Sequence, residues 1–97
     1  MSGHRKPGYA RHRTDLTASV LTQYAQAQGV GVELLGGTVD AVWWLGDVVR
    51  LVDYKSGRKA PITASQGKLL ARGCPLHFVV TVSDVDLIVA DMRRERR

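Results

Sequence analysis

The chain has 97 residues, 44% of them apolar, with one cysteine and a formal net charge of +5. That length leaves room for one small domain, and no apolar run reaches the 18 or so residues of a membrane span. Cys74 has no partner for an internal disulfide, and with no secretory pattern at the basic N-terminus a reducing, cytoplasmic compartment is expected.

The charge is unevenly placed. Residues 1–13 hold Arg5, Lys6, Arg11 and Arg13 without an acid, and residues 92–97 hold four arginines against Glu95. The two ends carry +4 and +3, which leaves −2 on residues 14–91. Basic arms on a slightly acidic body suit a polyanionic partner such as DNA or RNA. Solvated basic ends with no partner are the alternative.

In chain order, residues 1–13 lack periodicity and contain Gly and Pro, so a mobile basic arm is expected. His4 and His12 have no partner at metal-ligand spacing. Thr14 reads as the N-cap of a first helix, with Asp15 in the first turn where the helix dipole favours a negative charge. Asp15 serves there either as a dipole partner or as a third acid at a metal site. Leu16, Val20, Leu21 and Tyr24 repeat at helical spacing, and Gly29 supplies the stop.

Residues 30–35 form a short strand, and Gly36-Gly37 turns the chain into a second strand over 38–45. Gly46-Asp47 is the signal for a two-residue type II′ hairpin, with a third strand running to Lys55. This register opposes Leu45 to Val48, Trp43 to Arg50 and Asp40 to Asp53. Lys55 lies two residues past Asp53 and shares its face. Two like charges about 5 Å apart repel by roughly 3 kcal/mol at an effective dielectric of about 20. A divalent cation turns that repulsion into attraction, and hard oxygen ligands are what Mg²⁺ takes. Two readings of the spacing stay open. One is a cation site with an ammonium beside it, suited to phosphoryl chemistry. The other is a pair of exposed strand-end carboxylates tied to Lys55 and Arg50. Trp43 and Trp44 are adjacent and face opposite ways, so either helices cover both faces of the sheet or one Trp lies at a subunit interface.

Residues 56–61 make a basic loop, in which Arg58 and Lys59 either hold a phosphate backbone or are simply solvated. Thr63-Ala64-Ser65-Gln66 is a capping box, opening a helix through Lys68, Leu69, Leu70 and Arg72 to Gly73. Residues 76–82 read as a strand. Ser83 then caps a last helix with Asp84 and Asp86 in its first turn and Leu87, Ile88 and Met92 on its buried side. Residues 92–97 are expected to be a basic tail. The element order gives an α/β domain over residues 14–91, with a mixed four-stranded sheet flanked by helices.

The pattern Gly37-x-x-Asp40, twelve residues, Asp53-x-Lys55, then Thr63-x-x-Gln66 at the head of a helix resembles the PD-(D/E)xK nuclease superfamily. Within it, the small phage and bacterial VRR-NUC proteins are the most similar, and these resemble archaeal-type Holliday-junction resolvases in fold. The likeness spans roughly residues 13–90. It implies a restriction-endonuclease-like αβββαβ(α) core and a Mg²⁺-dependent endonuclease acting as a homodimer on branched DNA, with Mn²⁺ as a substitute ion. It implies Asp40 and Asp53 as metal-binding carboxylates, the Tyr54 backbone carbonyl as a further ligand, and Asp15 as the candidate for an acid from the first helix. Lys55 would position or activate the attacking water, and Gln66 resembles the family's active-site glutamine. Arg5, Lys6, Arg11, Arg13, Arg58, Lys59, Lys68 and Arg72 are the candidate DNA-contacting cations. Val39 stands where the family usually has proline, which leaves metal ligation intact. A nickase, a flap or single-strand nuclease, and a DNA-binding module with a decayed site are the alternatives. Intact Asp40, Asp53 and Lys55 argue against decay.

Overall fold

A type II′ turn needs a positive φ at its first loop residue, which glycine adopts without steric cost. The computed structural model describes residues 18–96. Gly46 there has a φ of 63°, and no described non-glycine residue has a positive φ. The expectations for Thr14, Asp15 and Leu16, and for the arm 1–13 with Arg5, Lys6, Arg11 and Arg13, lie outside the described residues.

The turn joins β2 (Ala41–Leu45) to β3 (Val48–Tyr54), with Leu45 opposite Val48, Trp43 opposite Arg50 and Ala41 opposite Val52. β1 (Gly31–Leu34) pairs antiparallel with β2, and β4 (His77–Val79) pairs parallel with β3. The sheet is therefore mixed, in the order β1-β2-β3-β4. Among the described residues three helices accompany it: α1 (residues 18–27), α2 (Ala64–Ala71) and α3 (Val82–Glu95). None of the described helices is long and apolar enough to cross a membrane.

Alternation along β2 and β3 sends Ala41, Trp43, Leu45, Val48 and Val52 to one face, where they form a core with Leu21 and Ala25 of α1 and Val85, Val89 and Met92 of α3. The opposite face carries Val42, Trp44, Val49, Leu51 and Asp53. Trp43 is fully buried and Trp44 is 41% exposed, so helices do not enclose both faces equally. Trp44 lies across Gly31, its register partner, and a Cβ at Gly31 would overlap the indole ring. Glycine is required there by the close approach of the ring.

Several expectations need correction. On α1 the buried face is Leu21 and Ala25, while Val20 and Tyr24 are exposed. Tyr24 instead donates its hydroxyl hydrogen to Asp86 Oδ1 at 2.8 Å. The fourth strand stops at Val79 because Asp84 Oδ2 accepts from the amides of Val80 (2.8 Å) and Thr81 (3.0 Å). Thr81, not Ser83, is the N-cap of α3, in a reciprocal capping box with Asp84. Of the side chains expected inside, Met92 is buried and Ile88 packs against the core, and only Leu87 departs. Leu87 becomes 70% exposed, and Val85 and Val89 turn inward. Residues 92–95 belong to α3 rather than to a tail, and Met92 is fully buried.

Met92→Ala is expected to cost about 2–5 kcal/mol in urea unfolding, and Leu87→Ala no more than about 0.5 kcal/mol. Equal effects would contradict the assigned buried face of α3.

Candidate active site

Asp40 and Asp53 are the residues one step beyond Ala41 and Val52, the last paired positions of the hairpin. The two acids are cross-linked through the backbone. The Asp40 amide donates to Asp53 Oδ1 at 3.1 Å, and the Tyr54 amide donates to Asp40 Oδ2 at 2.8 Å. Each carboxylate thus has one oxygen fixed by a strand-end N–H. Asp53 is 6% exposed and Asp40 is half-buried.

Lys55 is on the same side. Its Nζ lies 3.0 Å from Asp53 Oδ2 and donates to Gln66 Oε1 at 2.9 Å and to the Pro61 carbonyl at 3.1 Å. The ammonium also sits 5.3 Å from the centre of the Phe78 ring, a cation–π distance. Phe78 reaches this place because the parallel pairing sets it beside Asp53.

Gln66 is the only buried residue of α2. Its Oε1 accepts from Lys55 and from the Thr63 amide at 3.2 Å, and its Nε2 donates to the Thr38 carbonyl at 2.8 Å. One carboxamide therefore closes the capping box, fixes Lys55 and ties α2 to the segment leading into Asp40. With both ends of the amide engaged, Gln66 is placed to position Lys55 rather than to touch a substrate.

Burial pushes the Asp40 carboxyl above its ordinary range. The Tyr54 amide opposes that rise, the Asp53 carboxylate adds to it, and Lys55 opposes it. The folded chain therefore favours protonated Asp40. The cost of ionising it appears as pH climbs from the ordinary carboxylate range through the raised value, and it persists at neutral pH.

A cavity of about 640 Å³ adjoins Asp40, bounded by α1, Leu34, Leu35 and Tyr54. A smaller one of about 150 Å³ adjoins Lys55, bounded by Gly57, Arg58, Ile62, Phe78 and Val80. The site lies between them. Arg58, Lys59, Lys68 and Arg72 are exposed. Arg58 pairs with Asp84 at 3.0 Å. Arg50 is not part of the site, since it binds Asp91 and Glu95 of α3 instead.

The sequence reading missed the Thr38 and Pro61 carbonyls, Phe78 and the Tyr54 hydroxyl. The Tyr54 hydroxyl bonds Thr22 Oγ1 at 2.6 Å and accepts from Trp43 Nε1 at 3.3 Å. Carbonyl acceptors carry no side-chain signal, and Phe78 becomes visible only once the parallel register is known.

Two carboxylates at a strand end suit Mg²⁺, which is commonly bound through one or two carboxylates with water and substrate phosphate completing the shell. Among the described residues no group of three or more His, Cys, Asp or Glu could hold a metal ion. Compared with known proteins, the chain matches no family model, no curated protein and no solved structure.

Asp40→Asn keeps an oxygen for the Tyr54 amide and removes the like charge. It is expected to raise the melting temperature by a few degrees at pH 7 in EDTA, the gain shrinking as pH falls through Asp40's raised value. A lower melting temperature at pH 7 would contradict the electrostatic account. Gln66→Ala is expected to cost about 1–3 kcal/mol by chemical denaturation, the range for leaving buried polar partners unsatisfied.

Proposed function

We propose that this chain is a metal-dependent DNA endonuclease with a restriction-endonuclease-like core, similar to the PD-(D/E)xK superfamily, cutting phosphodiester bonds in branched DNA. The observation that carries the reading is the convergence of Asp40, Asp53, Lys55 and Gln66 at one strand end. Three residues singled out by spacing, and a fourth singled out by its capping box and the family likeness, meet in a single hydrogen-bonded group.

Asp40, Asp53 and the Tyr54 carbonyl would hold Mg²⁺, which when bound polarises a phosphate oxygen and makes a water easier to deprotonate. The rest of the chemistry falls to the chain. The backbone amides of Asp40 and Tyr54 orient the two carboxylates and keep them fixed as charge develops. Lys55 holds the attacking water and stabilises the extra negative charge of the pentavalent transition state. To do so it exchanges one of its three acceptors, and the Pro61 carbonyl is the longest and most exposed of them. Gln66 keeps the ammonium aimed during that exchange.

Exposed Arg58, Lys59, Lys68 and Arg72 supply phosphate contacts around the site. The arginines and lysine of residues 1–13 would extend them. A homodimer fits the exposed Trp44 and Val49, cross-strand neighbours that a second copy would cover. A cytoplasmic location fits DNA as the substrate.

Incubating the protein with a labelled four-way junction and a matched linear duplex in Mg²⁺, Mn²⁺ or EDTA tests the reading. Cleavage is expected with either metal and not with EDTA. Asp53→Asn is expected to reduce it to background, and Gln66→Ala, acting through Lys55, by about 10–100-fold. Full activity in Asp53→Asn would remove the site from the chemistry.

A further inference from the structure

We propose that the cleft beside Asp40 receives one unstacked nucleobase of the substrate strand, next to the phosphate that is cut. The inference rests on the nuclease reading and narrows its substrate to DNA that presents an unpaired or easily unstacked nucleotide at the cut.

The first argument is position. The cavity of about 640 Å³ has Asp40 and Tyr54 in its wall and Lys55 outside it, so it adjoins the candidate site at Asp40. A nucleotide whose phosphate lies at Asp40 and Asp53 has its base within reach of that cleft. The smaller cavity has Lys55 and Arg58 in its wall, which leaves two cations for the neighbouring phosphate.

The second argument is the chemistry of the walls. Ser19, Thr22, Gln23 and Gln26 recur at i, i+3, i+4 and i+7 on one stripe of α1. Thr22 is engaged with the Ala18 carbonyl and the Tyr54 hydroxyl, which leaves the Ser19 hydroxyl and two carboxamides lining the cleft. Carboxamides and hydroxyls both donate and accept, as the edges of bases do. The facing wall is apolar, with Leu34 at 64% and Leu35 at 40% exposure. A polar stripe opposite two uncovered leucines is a poor arrangement for plain water and a good one for a flat ring with apolar faces and a polar rim.

The third argument is fixity and size. The Thr22–Tyr54–Trp43 hydrogen bonds tie α1 to the core, so the floor of the cleft is preformed. Its volume falls in the range of about 300–1,000 Å³ that takes single small molecules, enough for one nucleobase.

The test crosses a protein change with a substrate change. The protein change is Gln23→Ala with Gln26→Ala, both exposed positions. The substrate change is an abasic site at the nucleotide beside the mapped cut of a four-way junction. Each alone is expected to slow cleavage about tenfold, and together they should slow it no further, because the lost contact is the same one. Independent, multiplying losses would overturn the proposal, as would no effect of the abasic site.

A second arm needs no cleavage. With Ca²⁺ in place of Mg²⁺, 2-aminopurine at that nucleotide is expected to change emission on binding, and Ser19→Phe, which fills the cleft, is expected to suppress the change. Unchanged emission with the unaltered protein overturns the proposal. If the junction and the linear duplex are cut equally fast and the abasic site has no effect, the cleft proposal falls and the nuclease reading stands. If nothing is cut with any metal, the nuclease reading falls and the cleft proposal falls with it.

Discussion

Everything at the candidate site follows from one constraint, the register of the β2–β3 hairpin. Gly46 fixes the turn, and the turn fixes which residues oppose one another. A slip of a single residue would send Asp40 and Asp53 to opposite faces and break both amide–carboxylate bonds. The core holds the register, because the same slip would take either Trp43 of β2 or Val48 and Val52 of β3 out of the interior. The site therefore inherits its precision from hydrophobic packing on the other face of the same two strands.

Like charges set side by side are a local defect that the fold contains rather than removes. Lys55 supplies one positive charge at Asp53, and the Tyr54 amide holds Asp40. Burial and the neighbouring carboxylate still leave the Asp40 carboxyl reluctant to ionise. α2 has little apolar burial of its own and is anchored through Gln66. A helix held mainly by one carboxamide can shift more readily than one held by a core face. That suits an element bordering the place where, under the nuclease reading, Lys55 would change partners. Under the nuclease reading, stability is given up at the residues that touch the phosphate and recovered in the α1–sheet–α3 core.

The hairpin was legible in the sequence because three signals agreed on it: a glycine first in a two-residue loop, alternation on both sides, and β-branched composition. Gln66 was legible as the far end of a capping box, although its bonds to Lys55 and Thr38 were not, since those depend on where α2 comes to rest. The start of α3 was misread for a physical reason. The run Phe78-Val79-Val80-Thr81-Val82 has strand propensity throughout, but the Asp84 carboxylate takes the amides that would have extended the ladder. Local hydrogen bonding decided the boundary against propensity. On α1, Tyr24 matched the apolar period, yet a hydroxyl partner on α3 drew it to the surface. The cleft could not be read in advance, because its two walls come from α1 and β1, whose packing together no local pattern specifies.

The central claim is that the Asp40–Asp53 pair captures a divalent cation, and paramagnetic broadening by Mn²⁺ tests it most directly. Trace Mn²⁺ added to ¹⁵N-labelled protein should erase the amide signals of Asp40, Tyr54 and Lys55 first. Those of Asp84, Asp86 and Asp91 on α3 should persist. Broadening that begins along α3, or none at all at the hairpin end, would contradict the account.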